Sequence, residues 1–243
     1  MSKSELIVIG HRGCAAEAPE NTLASFALAV RQKCDAIELD IQLSADNDIV
    51  VCHDRTIDRT TDRRGAIRQL KTSELKQADA GRWFREDYAG ERIPLLEEVL
   101  DAVPPSIELN IEIKNSCDGE IEPRLIDLLK RKNRISNVII VSFDFKSLSL
   151  VKRIEPELRI GLTYSNNLVD HYRLTDLVDV PVHSLHPNYV HLNKRDVEDA
   201  LSRGLKVYAY TVNSESDMKQ VIDYGVSGIL SDCPGRLRAL LDA

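Results

Sequence analysis

The sequence AIELDIQLSADNDIVVCHD, residues 36–54, contains two apolar runs separated by the short stretch SADND. This stretch is too short for the helical crossover that joins parallel strands, which needs about a dozen residues or more. The sequence therefore predicts a β-hairpin. With Ala45 and Asp46 as a two-residue tip, Glu38 is expected to lie opposite His53 and to share one face of the hairpin with it.

Similar β-branched runs recur along the rest of the chain: LIVIG, SIELNIEIK, VIIVSF, LRIGLTY, HSLHP, KVYAYTV and GILSD. Helical patterns, with apolar residues three or four positions apart, lie between most of them. Strands that alternate with helices indicate parallel βαβ units, and this number of units in 243 residues predicts an α/β fold, the TIM (β/α)8 barrel. A doubly wound open sheet is the main alternative, but no glycine-rich dinucleotide fingerprint follows the first strand.

We interpret residues 1–243 as a single domain in which the hairpin forms an arm. The stretch 55–91 is long, polar and rich in Arg and Asp, and it is predicted to be a small insertion on the catalytic face. Asn21 is a candidate N-cap for the first helix. Pro94 is expected in the first turn of the helix that follows the insertion.

The composition argues against several classes of protein. A formal net charge of −7 disfavours a nucleic-acid-binding protein, which usually has a basic surface. The five scattered cysteines form no CxxC pair, which disfavours a disulfide framework and a structural zinc site. The first apolar run is too short for a signal peptide, and no segment reaches membrane-spanning length. We therefore expect a soluble, cytoplasmic protein without a stable membrane anchor, and the composition does not specify its oligomeric state.

Charged and imidazole side chains lie near the carboxyl ends of several predicted strands. Glu38 and Asp40 are two residues apart in one strand, so their side chains share a face. Glu112 and Lys114 have the same spacing in the next parallel strand. Because these strand ends form the active site in TIM-barrel enzymes, all such side chains are expected to lie together. The seven candidates are His11, Arg12, Glu38, Asp40, His53, Glu112 and Lys114.

The three candidate carboxylates point to a metal ion. Carboxylates in one barrel mouth repel one another and raise one another's pKa unless a cation neutralises them. Oxygen ligands from Glu38, Asp40 and Glu112 favour one hard divalent cation, Mg²⁺ or Ca²⁺. Zinc is less favoured, although histidines lie nearby.

The other four candidates add binding and proton transfer. Arg12 and Lys114 are suited to binding a phosphate group. His11 and His53 can accept or donate protons near neutral pH. Together with a metal ion, these groups predict the cleavage of a phosphoester.

Several motifs resemble, in order along the chain, those of the glycerophosphodiester phosphodiesterase family: GHRGCAAEAPENTLASFALAV, IELDIQLSADNDIVVCHD, ERIPLLEEVL, IEIK, VSFD, YTVN and GVSGILSDCP. The resemblance extends from about Val8 to Pro234, and the combination of motifs is highly specific. It implies a phosphodiesterase TIM barrel with an insertion after the hairpin. It also implies a small-molecule phosphodiester substrate, with hydrolysis of glycerophosphodiesters to glycerol 3-phosphate and an alcohol.

The resemblance also implies a role for each candidate. His11 and His53 match the family's acid–base histidines, and Arg12 and Lys114 match its phosphate-contacting cations. The three candidate carboxylates match its metal ligands, usually for Mg²⁺ or Ca²⁺. Tyr210 stands where the family often has Trp, and it is expected to line the pocket beside the glycerol group.

Three alternatives remain open. A lysophospholipase-D-like enzyme would use the same site to cut a lysolipid between its phosphate and its headgroup. An enzyme of a different class would use Lys114 as a Schiff-base nucleophile, although the nearby carboxylates favour its protonated form. A non-catalytic module would bind phosphodiesters without cleaving them, but such a protein is expected to lack some of the seven candidates. Within the leading hypothesis, either water or the glycerol 2-hydroxyl attacks the phosphorus.

Overall fold

The computed structural model describes residues 6–243. All eight predicted strands and the return strand of the hairpin are present in this part of the chain. The strands are β1 (Ile7–Gly10), β2 (Ala36–Leu43), β3 (Ile49–Val51), β4 (Glu108–Ile113), β5 (Val138–Ser142), β6 (Arg159–Tyr164), β7 (Ser184–Pro187), β8 (Lys206–Ala209) and β9 (Gly228–Ser231).

All strands except β3 form a closed parallel barrel. Around the ring, β2 is followed by β4, β5, β6, β7, β8 and β9, and β1 closes the ring between β9 and β2. In the closing register, Ile9 pairs with Ala36 on one side and with Leu230 on the other. This ring confirms the predicted TIM barrel and excludes the open doubly wound sheet.

Helices surround the barrel and connect most of its strands. In residues 6–243 the α-helices are α1 (Leu23–Arg31), α2 (Thr72–Leu75), α3 (Leu96–Ala102), α4 (Ile121–Arg131), α5 (Phe145–Ile154), α6 (Lys194–Ser202), α7 (Glu215–Tyr224) and α8 (Pro234–Asp242). Short 3₁₀-helices lie at Ile67–Gln69, Glu86–Tyr88, Ile135–Asn137, His171–Leu177 and Tyr189–His191. The connection from β6 to β7 therefore contains a 3₁₀-helix in place of the usual α-helix.

The alternation of side chains along the strands builds two apolar layers. Ala36 belongs to the layer inside the barrel. Ile37 and Leu39 belong to the larger layer between the barrel and the helices. Because successive residues of a strand point to opposite faces, Glu38 and Asp40 share the inward face with Ala36. The barrel interior therefore receives both carboxylates of β2.

The hairpin is present, but its predicted register is wrong by one residue. β3 runs antiparallel to β2, and Leu43 pairs with Ile49 as the last pair before the turn. Residues 44–48 therefore form the turn, in place of a two-residue tip at Ala45 and Asp46. This shift moves His53 out of the predicted position opposite Glu38.

Side-chain hydrogen bonds stabilise the longer turn. The Ser44 hydroxyl accepts a hydrogen bond from the Asp48 N–H (3.0 Å) and donates one to Asp46 Oδ1 (2.7 Å). Asn47 has a φ of 67°, in the left-handed region that Asn enters more readily than most residues. The predicted register was based on the pattern of apolar residues alone. It therefore did not take these polar interactions into account.

The prediction that Asn21 caps the first helix is wrong. The N-cap of α1 is Thr22, whose side-chain oxygen accepts a hydrogen bond from the Ser25 N–H (3.3 Å). Asn21 instead contacts Asp40: its Nδ2 donates to Oδ2 (2.8 Å), and its Oδ1 accepts from the Asp40 N–H (3.3 Å). The loop before α1 therefore holds a carboxylate of β2 in place.

The prediction for Pro94 is also wrong, because α3 begins two residues later at Leu96. The backbone of Leu95 is the N-cap. The Pro94 carbonyl accepts a hydrogen bond from the N–H of Val51 in β3 (2.8 Å). Pro94 thus joins the hairpin to the chain that enters α3.

The segment 55–91 connects β3 to α3 and contains α2 with two of the 3₁₀-helices. Ile57, Ile67 and Leu75 form a small apolar cluster with Val50 of β3. The segment is therefore anchored to the hairpin by burial of apolar side chains. Its description as an insertion stays a prediction.

Two further features bear on the sequence-based expectations. In residues 6–243, no helix combines the length and the apolar character needed to cross a membrane. All five cysteines are free, and four of them are buried. The barrel is therefore held by its apolar layers and strand pairing without disulfide bonds.

Candidate active site

The histidine after the first strand is held by a residue after the last strand. The His11 N–H donates to the Ser231 carbonyl (2.9 Å), and His11 Nδ1 lies 2.6 Å from Asp232 Oδ1. Asp232 Oδ2 accepts a hydrogen bond from Asn213 Nδ2 (2.6 Å). Burial opposes protonation, but the bond to Asp232 and the charge of Glu38 outweigh it, so the pKa of His11 is raised. These contacts fix the ring and leave Nε2 free of Asp232.

A tight turn after β1 places Arg12 beside a carboxylate. Arg12 has a φ of 51° and Gly13 a φ of 89°, both in the left-handed region. The Arg12 N–H donates to Glu38 Oε2 (3.0 Å). A Cβ at Gly13 would lie 2.3 Å from Ser25 Oγ, so a residue with a side chain would clash there. The glycine of HRG is therefore required by the backbone conformation of this turn, whereas His11 and Arg12 are candidates for a role in the reaction.

Three buried carboxylates lie together on the inward faces of β2 and β4. Asp40 pairs with Glu112 across the two strands, and Glu38 lies two residues earlier on the same face. One oxygen of each lies within 4.8 Å of the others, and Glu38 Oε1 is buried without a hydrogen-bond partner. Burial and the charge of Asp40 raise the pKa of Glu38 to about 8. This group of carboxylates can therefore bind a hard divalent cation, which would satisfy both the charge and the unpaired oxygen.

Two cationic side chains lie against the carboxylates. Arg12 Nε is 3.4 Å from Asp40 Oδ2. Lys114 Nζ is 3.5 Å from Asp40 Oδ1 and donates to Glu112 Oε1 (2.7 Å). Burial opposes the ionisation of Asp40, but these two cations keep its pKa below the ordinary value. Burial also disfavours the charged form of Lys114, but Asp40 and Glu112 outweigh it and raise its pKa, which opposes the Schiff-base alternative because that chemistry needs a neutral amine.

His53 reaches the site from the loop after β3. The strand ends at Val51, so His53 no longer follows the alternation of the hairpin. Gln42 Nε2 fixes this loop by donating to the carbonyl oxygens of His53 (3.3 Å) and Asp54 (2.6 Å). His53 Nδ1 lies 2.7 Å from Asp54 Oδ1. Burial lowers the pKa of His53, in the direction opposite to that of His11.

The seven candidates surround or support one cavity of about 150 Å³, and all but Asp40 line it directly. The opposite wall includes Phe143, Thr163, His186 and Tyr210. Tyr210 lines the pocket as expected, and its ring packs edge-on against Phe143, with 6.4 Å between ring centres. A cavity of roughly this volume holds a molecule the size of benzene, so its enclosed part fits a small polar group. The roles of the seven candidates stay predictions.

His186 lies on the barrel interior at this cavity and is almost fully buried. Its Nε2 is 2.9 Å from Ser184 Oγ, and its ring packs edge-on against Tyr208. Burial, with a smaller contribution from His183, lowers the pKa of His186 to about 3. The side chain is therefore neutral in the folded protein near neutral pH.

The free energy of unfolding is expected to decrease as the pH falls from 6.5 towards 3, because the unfolded chain protonates His186 and the folded protein does not. The loss is about 1.4 kcal/mol per pH unit, or about 2 kcal/mol by pH 5. Urea unfolding of the wild type and of His186→Gln at pH 7 and pH 5 measures this contribution, with excess EDTA present to prevent metal binding. The free energy of unfolding of the variant should depend less on pH than that of the wild type. Equal pH dependence in the two proteins would show that His186 does not make this contribution.

Sequence reasoning missed the residues that orient the candidates. Asp232 and Asp54 each bind a histidine through Nδ1, and Gln42 fixes the loop that carries one of them. Both aspartates lie in motifs of the family resemblance, CHD and SDCP. Nothing in the spacing indicates that Asp232 contacts His11, which lies 221 residues earlier. Only closure of the barrel brings these two residues together.

Comparison with known proteins gives a consistent result. The chain matches a model of the glycerophosphoryl diester phosphodiesterase family over residues 11–236. A glycerophosphodiester phosphodiesterase from Caldanaerobacter subterraneus subsp. tengcongensis is 41% identical over 234 residues, which cover 95% of this chain and 96% of that protein. A lysophospholipase D from Homo sapiens is 29% identical over 96% of this chain and 85% of its own length.

Solved structures share the same architecture. A phosphodiesterase from Oleispira antarctica, in complex with the product sn-glycerol-3-phosphate, matches over 100% of both chains with a TM-score of 0.90 and 31% identity. A glycerophosphodiester phosphodiesterase from Agrobacterium tumefaciens matches with a TM-score of 0.84 and 26% identity, over 96% of this chain and 99% of that chain. The barrel and its connections are therefore similar to those of these proteins over nearly their whole length.

Proposed function

Because the chain belongs to the glycerophosphoryl diester phosphodiesterase family, we propose that it hydrolyses glycerophosphodiesters to glycerol 3-phosphate and an alcohol. The observation that carries the proposal is the arrangement of His11 and His53 on one cavity with the three carboxylates. Each histidine binds an aspartate through Nδ1, which leaves Nε2 available for proton transfer. Two imidazoles that face one cavity are suited to general acid–base catalysis.

The proposed cofactor is one divalent cation, Mg²⁺ or Ca²⁺, held by Glu38, Asp40 and Glu112. The fit rests on the donor set, which is all oxygen, and on the buried Glu38 Oε1 without a partner. When bound, such a cation polarises a phosphoryl oxygen and favours ionisation of a hydroxyl that it contacts. It would also allow the three carboxylates to be ionised together at neutral pH.

The protein's own groups bind the phosphate and move protons. Arg12 and Lys114 lie at the edge of the carboxylates and supply positive charge for the phosphate oxygens. One of the two histidines takes a proton from the attacking hydroxyl, and the other donates a proton to the leaving alkoxide. The attacking hydroxyl belongs either to water or to C2 of the glycerol group, in which case water then opens a cyclic phosphate.

A second candidate substrate is a lysolipid, cleaved at the same site in a lysophospholipase-D-like reaction. The ring of Phe143, at the edge of the cavity, is 52% exposed. Val169 and Val190, in the connections after β6 and β7, are also exposed. These side chains follow the carboxyl ends of three neighbouring strands, and in this second candidate they would contact the acyl chain. The small enclosed volume nevertheless favours glycerophosphodiesters as the main substrates.

The proposed function is tested by an assay of glycerol 3-phosphate release. Purified protein with Mg²⁺ or Ca²⁺ is given glycerophosphocholine, glycerophosphoethanolamine or a lysophosphatidylcholine. We expect metal-dependent release of glycerol 3-phosphate from at least one of the first two substrates. From the lysolipid we expect slower release of choline, which is measured separately. A folded, metal-loaded protein that releases nothing from either glycerophosphodiester but cleaves the lysolipid would favour the second candidate. Inactivity on all three would refute the proposal.

A further inference from the structure

One arginine of the segment 55–91 joins two parts of the candidate active site. Arg59 donates to Asp54 through Nε (2.7 Å) and Nη2 (3.1 Å). The same guanidinium donates to Glu20 through Nη1 and Nη2, both at 2.8 Å. Both carboxylates are therefore bound by two hydrogen bonds each, in the planar geometry that a guanidinium matches.

Each of these carboxylates also holds a group at the cavity. Asp54 Oδ1 lies 2.7 Å from Nδ1 of His53. Glu20 Oε1 accepts a hydrogen bond from Nη1 of Arg12 (2.8 Å). A continuous chain of hydrogen bonds thus runs from the imidazole of His53, through Arg59, to the guanidinium of Arg12.

Arg59 is partly exposed, and isolated ion pairs on a protein surface contribute little to stability. The side chain of Arg59 is 45% exposed, but that of Glu20 is only 11% exposed and that of Asp54 31%. Bidentate geometry and connection into a network are the conditions under which such pairs matter. The hydrogen bonds from Arg59 lower the pKa of Asp54, and those to Glu20 and Asp54 raise the pKa of Arg59. Arg59 and Asp54 therefore each stabilise the charged form of the other.

We infer that Arg59 is a positioning residue that fixes the orientations of His53 and Arg12 at the same time. The inference rests on the proposed function, since it concerns the same reaction. Without Arg59, Asp54 would lose two of its hydrogen bonds and could turn away from His53. Glu20 would likewise be held by Arg12 alone, and the position of the Arg12 guanidinium would no longer be tied to that of His53. Loss of Arg59 should therefore impair proton transfer and phosphate binding together.

The test begins with single variants assayed on the best glycerophosphodiester. Arg59→Ala is expected to lower kcat/KM about 10–100-fold, with both a lower kcat and a higher KM. Arg59→Lys should recover only part of this loss, because a lysine cannot bind two carboxylates in a bidentate manner. Arg63→Ala is the matched control: Arg63 lies in the same segment, is exposed, and contacts Gln77 (3.1 Å). Its kinetics should stay within about twofold of the wild type.

Double-mutant cycles then separate positioning from a general structural role. If Arg59 acts through Asp54 and Glu20, the effects of Arg59→Ala should be strongly less than additive with those of Asp54→Asn and of Glu20→Gln. The corresponding cycles with Arg63→Ala should be additive. Millimolar guanidinium should restore part of the activity of Arg59→Ala and should leave Arg63→Ala unchanged, which loss of folding would not produce. Circular dichroism and the metal-induced shift in Tm provide readouts without turnover.

The outcomes distinguish this inference from the proposed function. If the wild type is inactive on every phosphodiester, the proposed function fails and with it the premise. If the wild type is active but Arg59→Ala retains kcat/KM within threefold, the positioning role is refuted. Additive cycles with both Asp54→Asn and Glu20→Gln would refute it as well, because Arg59 would then act by a separate route. Less-than-additive cycles together with rescue by guanidinium would establish it.

Discussion

Excess EDTA is expected to abolish phosphodiester hydrolysis, and added Mg²⁺ or Ca²⁺ is expected to restore it. In the absence of a cation, burial and the charge of the neighbouring Asp40 raise the pKa of Glu38, which favours the protonated form of this carboxyl. The site then lacks both the positive charge and the full set of ionised oxygens on which the proposed chemistry depends. Release of glycerol 3-phosphate before chelation, after chelation and after each cation is returned measures the effect. Full activity in the chelated enzyme would refute the proposed cofactor.

Binding of the cation can also be measured without turnover. A ligand at one hundred times its Kd stabilises the folded state by about 2.7 kcal/mol, which raises Tm. Glu38→Gln and Glu112→Gln should lose most of this increase, because each removes a charged ligand from the buried group. Glu215→Gln, which changes an exposed carboxylate in α7, is the matched control and should keep it. An unchanged increase in all three variants would place the cation elsewhere.

Replacement of His11 or His53 with alanine is expected to lower kcat about 10²–10⁴-fold each, the usual contribution of a general acid or base. Both rings line the cavity, and each is oriented by an aspartate. His183→Ala provides the control, because His183 immediately precedes β7 and therefore lies at the opposite end of the barrel. Steady-state kinetics of the three variants on glycerophosphocholine test the prediction. Rates within tenfold of the wild type for both His11→Ala and His53→Ala would contradict the acid–base assignment.

A substrate with an aryl leaving group would then separate the two roles. Hydrolysis of a nitrophenyl ester of glycerol phosphate releases nitrophenolate, a stable leaving group that needs little help from a general acid. The alanine variant of the acid should therefore recover most of its activity on this ester, whereas the variant of the base should not. The opposite shifts in the pKa of His11 and His53 are consistent with different roles for the two rings.

The architecture was largely predictable from local sequence, because the β-branched runs and the helical periods report directly on burial. Besides the start of α3, two predictions failed at positions where polar side chains determine the backbone conformation. The turn at 44–48 depends on hydrogen bonds of Ser44, and the start of α1 depends on Thr22 rather than Asn21. Patterns of apolar residues carry no information about such contacts, so the register and the cap were each displaced by one residue.

The sequence predicted that the seven candidates lie together, but it did not predict the hydrogen bonds that orient their side chains. The spacing of Glu38 and Asp40 determines that they share a face, and the barrel then places Glu112 beside them. His53 was placed correctly at the cavity although its predicted register was wrong, because the loop held by Gln42 turns it inward. Contacts between distant segments, such as that of Asp232 with His11, require knowledge of the closed ring.

The position of β1 between β2 and β9 has a consequence for synthesis of the protein. The ribosome produces β1 first, yet one edge of β1 stays unpaired until β9 has emerged and docked. Contacts between residues so far apart in sequence form slowly, since a long loop must close first. His11 acquires Asp232 only in that last step, 221 residues after it was made. A nascent chain therefore gains its assembled active site at the moment the ring closes, and intermediates on the ribosome lack it.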